Sequence, residues 1–220
     1  MNPGVQATII TIVWIILVMT GWGRHTLTDA RLKPRAVSIL LVLFLLMAGH
    51  TYNLTPRLAL DIGGLLLPLG AWVWSLLAHR NASYQVQWLL GMITVAASMV
   101  ILMTLVPMDP AFFLIDVDYL YPLTVIIISV MSVRRPYFAL SIALVGMAMA
   151  FALDPFLHGR SGTEDVVLGS GDVRDTLLYT ASGVLLLHGP YHRSASYIKS
   201  RVRALFGDNS QQQEGGPEHV

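Results

Sequence analysis

Apolar residues run along this chain in seven long stretches: Val5 to Trp22, Ala36 to Gly49, Leu58 to Leu77, Trp88 to Val106, Tyr119 to Val133, Tyr137 to Leu153 and Thr176 to Leu187. Each is predicted to be helical, because a helix pairs its own backbone groups and an unpaired group in hydrocarbon costs several kcal/mol. A crossing of about 30 Å needs about 20 residues, so the second, fifth and seventh stretches must borrow polar flanks. For the fifth, the extension runs upstream through residues 111–115 and brings Asp116 and Asp118 to membrane level. For the seventh it recruits Asp172, Arg174 and Asp175. A re-entrant or six-span arrangement stays open. The expected fold is all-α, a polytopic membrane helix bundle of about seven transmembrane helices.

Composition agrees with that pattern. The 220 residues are 55% hydrophobic and 12% charged, about half the charge of a soluble domain. The absence of Cys excludes disulfides, thiolate nucleophiles and Cys-based metal sites. The leader Met1-Asn-Pro-Gly has no basic n-region, so the first span is expected to be an anchor and not a cleaved signal.

A net charge of +1 conceals a separation. Alternate loops collect eleven of the 14 basic residues, including Arg24, Lys33, Arg35, Arg134 and Arg135; the other loops hold only Arg57, Arg160 and Arg174. The positive-inside rule places the basic side in the cytoplasm, hence the N-terminus outside and the C-terminus inside. Nine of the 13 acids, among them Asp61, Asp109, Asp116, Asp118, Asp154, Asp172 and Asp175, then fall on the outer side. Acids contribute little to topology, so their gathering is a second, separate feature.

Three domains are expected: a transmembrane domain over 1–192, a basic amphipathic helix over 193–207, and a disordered tail over 208–220. In the second, Tyr197, Ile198, Val202, Leu205 and Phe206 alternate with Arg193, Lys199, Arg201 and Arg203. That pattern suits a helix lying on anionic lipids of the inner leaflet, where each base is worth about 1 kcal/mol.

Two constellations carry candidate chemistry. Gly169-Ser170-Gly171-Asp172 is a Gly-x-Gly-Asp sequence that resembles the signature of intramembrane aspartyl proteases, whose mechanism needs two carboxylates sharing a proton. Asp118 is the candidate partner of Asp172, with Asp116 beside it. The companion motifs of those enzymes are absent: Asp118 is followed by Tyr119, and Pro122 by Leu123. A helix-capping Asp in a flexible turn accounts for the same residues.

The other constellation is Asp61, expected about one turn inside the third span, with Arg57 four residues earlier on the same helix face. Gly63-Gly64 and Pro68 would loosen that helix and expose backbone to an ion, as in transporters. An interfacial Asp tied to Arg57 is the plainer reading. His188 and His192 stand four apart, but Gly189-Pro190 is predicted to break the helix between them, and no metal site or cofactor is expected. Ala139, Ala143, Gly146 and Ala150, and on the fourth span Gly91, Thr94 and Ser98, form small-residue stripes suited to close helix packing. The second span is expected to face lipid. No nucleotide motif appears, and no nucleic-acid partner is expected.

The opening Met1-Asn-Pro-Gly, the span ending in Thr20-Gly21-Trp22, the basic loop after it, the mid-chain Asp109-Pro110 and the basic C-terminal end resemble the YphA family of small polytopic membrane proteins from Bacillales. The resemblance implies a bacterial plasma-membrane protein with no established biochemical activity, and transfers no catalytic residue. The leading expectation is a structural or accessory membrane protein. A small-solute or ion transporter using Asp61 and an aspartyl protease using Asp118 and Asp172 are the alternatives.

Overall fold

The computed structural model describes the chain except for residues 1–2, 23, 30–31, 56–57, 79–81, 109–115, 158–165 and 207–220. Among the described residues there are eight helices and three short strands. Seven long helices follow the apolar stretches: α1 (Val5–Met19), α3 (Pro34–Met47), α4 (Ile62–Ala78), α5 (Ala82–Leu105), α6 (Val117–Ser132), α7 (Pro136–Leu157) and α8 (Gly171–Phe206). A short α2 (Arg24–Asp29) lies in the first basic loop. The helices form a bundle with α7 at its centre, packed against α4, α5, α6 and α8, while α1 and α3 pair with α8 and α4 at one flank.

Two helical segments, Ser83–Leu105 and Pro136–Leu157, are both long and apolar enough to cross a bilayer. Val5–Met19, Pro34–Met47, Ile62–Leu77 and Val117–Ser132 are apolar but shorter. At about 1.5 Å per residue they reach roughly 21 to 24 Å. Ile9, Ile16, Ile39, Leu46, Leu90 and Ile101 point outward and are exposed, so the bundle wears an apolar belt that water would not tolerate.

The interior explains which residues face inward. Ala139, Ala143 and Ala150 are fully buried, and a Cβ on Gly146 would lie 2.8 Å from the Val95 side chain, so the stripe on α7 sets its contact with α5. Of the stripe expected on α5, Gly91 does meet α7, a Cβ there lying 2.6 Å from Ile142, but Thr94 is exposed, and the buried face is Val95, Ala96, Met99 and Met103. Helix α3 does present Ile39 and Leu46 outward, yet Leu41 and Phe44 are buried. A polar relay crosses the core: Trp88 Nε1 donates to Ser141 Oγ at 3.0 Å, and Ser141 Oγ donates to the Ala71 carbonyl at 3.0 Å, joining α5, α7 and α4.

The strands are an addition to the expected all-α fold. β1 (Thr51–Thr55) and β2 (Leu58–Asp61) pair antiparallel, with Thr51 opposite Asp61, and β3 (Val166–Leu168) adds parallel to β2, with Leu60 opposite Leu168. The Ile62 N–H donates to the His50 carbonyl at 3.2 Å and closes the hairpin base. This small sheet lies at one end of the bundle, where α3 passes to α4 and α7 to α8. Asp61 is therefore not inside a helical span; it ends a strand, because its carboxylate caps the helix that begins at the next residue.

The predicted break at Gly189-Pro190 does not occur. Helix α8 runs through both residues to Phe206. Proline removes only one bond of the ladder, that to the Leu186 carbonyl, and the turn before it is fixed by His188, buried and bonded through Nε2 to the Val133 carbonyl at 3.0 Å. The segment 193–206 thus continues α8; its side chains, like that of His192, lie outside the described residues, as does the tail.

Candidate functional site

Acids gather at the sheet end of the bundle, and the structure shows what three of them, Asp61, Asp116 and Asp175, hold. Asp61, 3% exposed, is the N-cap of α4: its Oδ1 accepts from the Gly63 N–H at 2.9 Å and, more weakly, from the Gly64 N–H at 3.4 Å. This is the arrangement for which short polar side chains are favoured at helix starts. Its other oxygen, Oδ2, faces Arg174 Nε of α8 at 3.5 Å. The pair is buried, and Arg174 Nε has no hydrogen-bond acceptor in good geometry. The contact is therefore an ion pair of loose geometry.

The expected Arg57–Asp61 pair was drawn on a helix, whereas residues 58–61 form a strand; Arg57 itself lies outside the described residues. Among the described residues Asp61 pairs with Arg174, brought in by the β2–β3 pairing, which no local sequence pattern announces.

Asp175 has a comparable task across helices. Helix α1 starts at Gly4, which has no side chain to cap it. From α8, Asp175 Oδ2 accepts from the Gly4 N–H at 2.8 Å and Oδ1 accepts from the Ala7 N–H at 2.5 Å. Two orphan donors at the positive end of α1 are thus satisfied by a carboxylate 168 or more residues away in sequence. Asp116 caps α6 more locally, accepting from the Asp118 N–H at 3.3 Å.

The Gly-x-Gly-Asp sequence is accounted for by packing. Gly169 has φ +83° at the end of β3, and a Cβ on Gly64 would lie 2.2 Å from the Gly169 carbonyl oxygen, so α4 and the loop before α8 touch backbone to backbone. On the far side a Cβ on Gly171 would meet Pro3 at 2.6 Å. Both glycines serve contacts within the chain. Gly64, expected to loosen the third helix around an ion, instead lets it meet this loop.

Asp118 and Asp172 are brought together all the same. They share a cleft of about 40 Å³ with Asp175, Gln6, Thr176 and Tyr179. Asp172, Asp175 and Thr176 stand three and four apart on one face of α8, a spacing that was readable; Gln6 and Tyr179 were not singled out. Tyr179 packs edge to face on Tyr119 at 5.8 Å beneath the acids. A water needs about 10 to 15 Å³, so the cleft has room for a few waters. Asp172 also edges a second cleft of about 290 Å³ beside Asp154, Ser170 and Phe151. Among the described residues no group of three metal-ligating side chains forms.

The description YphA-like integral membrane protein matches residues 6–214, nearly the whole chain. The chain belongs to the YphA-like family. YphA-like proteins are integral to the membrane by that description, which fits the apolar belt and the long helices. No curated protein and no solved structure matches this YphA-like chain.

Proposed function

We propose that the protein is a non-catalytic, accessory multi-pass protein of the bacterial plasma membrane, crossing seven times with its N-terminus outside and its C-terminus in the cytoplasm. The carrying observation is that Asp61, the candidate ion-binding acid, caps α4 and faces Arg174, and that Asp175 of the same acidic end caps α1. The sheet end bears these acids, while Lys33, Arg35, Arg134 and Arg135 lie at the other, which accords with the positive-inside rule. At that other end the Arg135 guanidinium lies 4.8 Å from the Tyr84 ring centroid and donates to the Tyr84 and Tyr137 hydroxyls. The basic end of α8 then lies against anionic lipid of the inner leaflet.

A second reading has one observation in its favour. Asp118 and Asp172 line one cleft, as an aspartyl protease dyad must. Quantitative proteomics of membrane fragments separates the two. Cells carrying Asp118→Asn together with Asp172→Asn will match wild type if the protein is accessory. A profile identical to that of cells lacking the protein, with uncut substrates accumulating, would establish the dyad instead.

A further inference from the structure

Away from the acids, a partly open apolar cavity of about 140 Å³ lies between α1, α3, α4, α7 and α8. Its walls include Leu40, Leu67, Trp74, Leu144 and Leu178, and Lys33 stands at its rim. An apolar cavity of this size stays dry and accepts small hydrocarbon groups. A second space, an open groove of about 670 Å³, runs along the outside of α3 and α4 under Tyr52. Leu40, Gly70 and Trp74 line both. The two spaces thus share a wall at these three residues, and at Gly70 that wall is closed by the Leu40 side chain, 3.4 Å from where a Cβ on Gly70 would lie.

Three features define an occupant. The groove and the cavity adjoin at Leu40, Gly70 and Trp74, so apolar lining extends from the outside of α3 and α4 toward the bundle interior. Lys33 is exposed, and Arg35 is exposed two residues on. Tyr137, also in the cavity wall, accepts a hydrogen bond from Arg135. Hydrocarbon packed against Leu gains little over hydrocarbon packed against lipid, so an apolar slot alone would not select a ligand; cations at its rim add the preference for a negative headgroup.

We infer that this slot holds one acyl chain of an anionic phospholipid, its tail entering past Gly70 and its phosphate lying at Lys33. The site is distinct from the basic end of α8 and does not depend on which face of the membrane is cytoplasmic.

The test is retention of lipid by the full chain, purified after exchange into equal amounts of phosphatidylglycerol and phosphatidylcholine and weighed by native mass spectrometry. Wild type should keep about one phosphatidylglycerol in preference to phosphatidylcholine. Lys33→Gln should reduce that preference about fivefold, the factor expected for one base at a lipid surface. Ala181→Leu, which fills the cavity from α8, should abolish retention of both lipids. Should it fail to fold, Gly70→Ala serves: its Cβ would sit 3.4 Å from Leu40, an ordinary contact that narrows the entrance and should weaken retention. Equal retention of the two lipids by wild type, an unchanged preference in Lys33→Gln, or undiminished retention in the folded cavity variant would each overturn the assignment.

Discussion

Replacing Asp61 by asparagine removes the charge facing Arg174 but keeps an oxygen able to accept from the Gly63 N–H. The perturbation thus isolates the ion pair from the helix cap. Both side chains are buried, 4% and 11% exposed, and removing one partner of a buried pair strands the other charge at a cost of about 3 to 5 kcal/mol. The 3.5 Å separation and the unbonded Arg174 Nε argue for the lower end, about 3 kcal/mol. In a domain of this length each kcal/mol moves Tm by roughly 2 to 4 °C, so Asp61→Asn should lower Tm by about 6 to 12 °C. Arg174→Met should lower it less, since Asp61 keeps its two backbone donors. The double variant, with a neutral pair of similar volume, should recover most of the loss. Thermal unfolding of the detergent-solubilised protein, followed by monomer recovery on size exclusion, reads all three. A drop below about 2 °C for Asp61→Asn, or a double variant as unstable as the sum of the singles, would refute the pairing.

The remaining predictions concern the same framework. Asp175→Ala should uncap α1 and destabilise by about 0.5 to 2 kcal/mol, visible as faster hydrogen exchange of the Gly4 and Ala7 amides. Gly64→Ala should unfold the sheet end, because its Cβ would sit 2.2 Å from the Gly169 carbonyl; Gly70→Ala should be tolerated, and the contrast is measured as expression of folded monomer. Ser141→Ala should leave the buried Trp88 N–H without its partner, costing about 1 to 3 kcal/mol and altering Trp88 fluorescence.

The long helices were legible because apolar runs bounded by charged loops leave the backbone no alternative in lipid. The inward face of α7 was legible too, its small residues recurring at helical spacing. What escaped was the sheet. The polar–apolar alternation of Thr51–Thr55 is only five residues long, Leu58–Asp61 merges with the apolar run that follows, and β3 joins them from a loop about 100 positions on. Because the sheet escaped, so did the partner of Asp61: Arg174 is a neighbour only once Leu58–Leu60 pairs with Val166–Leu168. Gly189-Pro190 misled in the other direction, since one missing ladder bond is outweighed by a helix packed on both sides and pinned by His188. Asp118 and Asp172 were named together from a motif; their shared cleft follows from packing of α6 on α8, and the glycines of that motif turn out to serve chain contacts.

The absence of Cys makes the orientation directly measurable. Single-cysteine variants at Leu54, exposed on β1 at the sheet end, and at Arg134, exposed at the opposite end, are treated in intact cells with a membrane-impermeant maleimide. The acidic end is outside if Leu54→Cys labels at once and Arg134→Cys labels only after the membrane is permeabilised. Labelling of both in intact cells, or of Arg134→Cys alone, would contradict it.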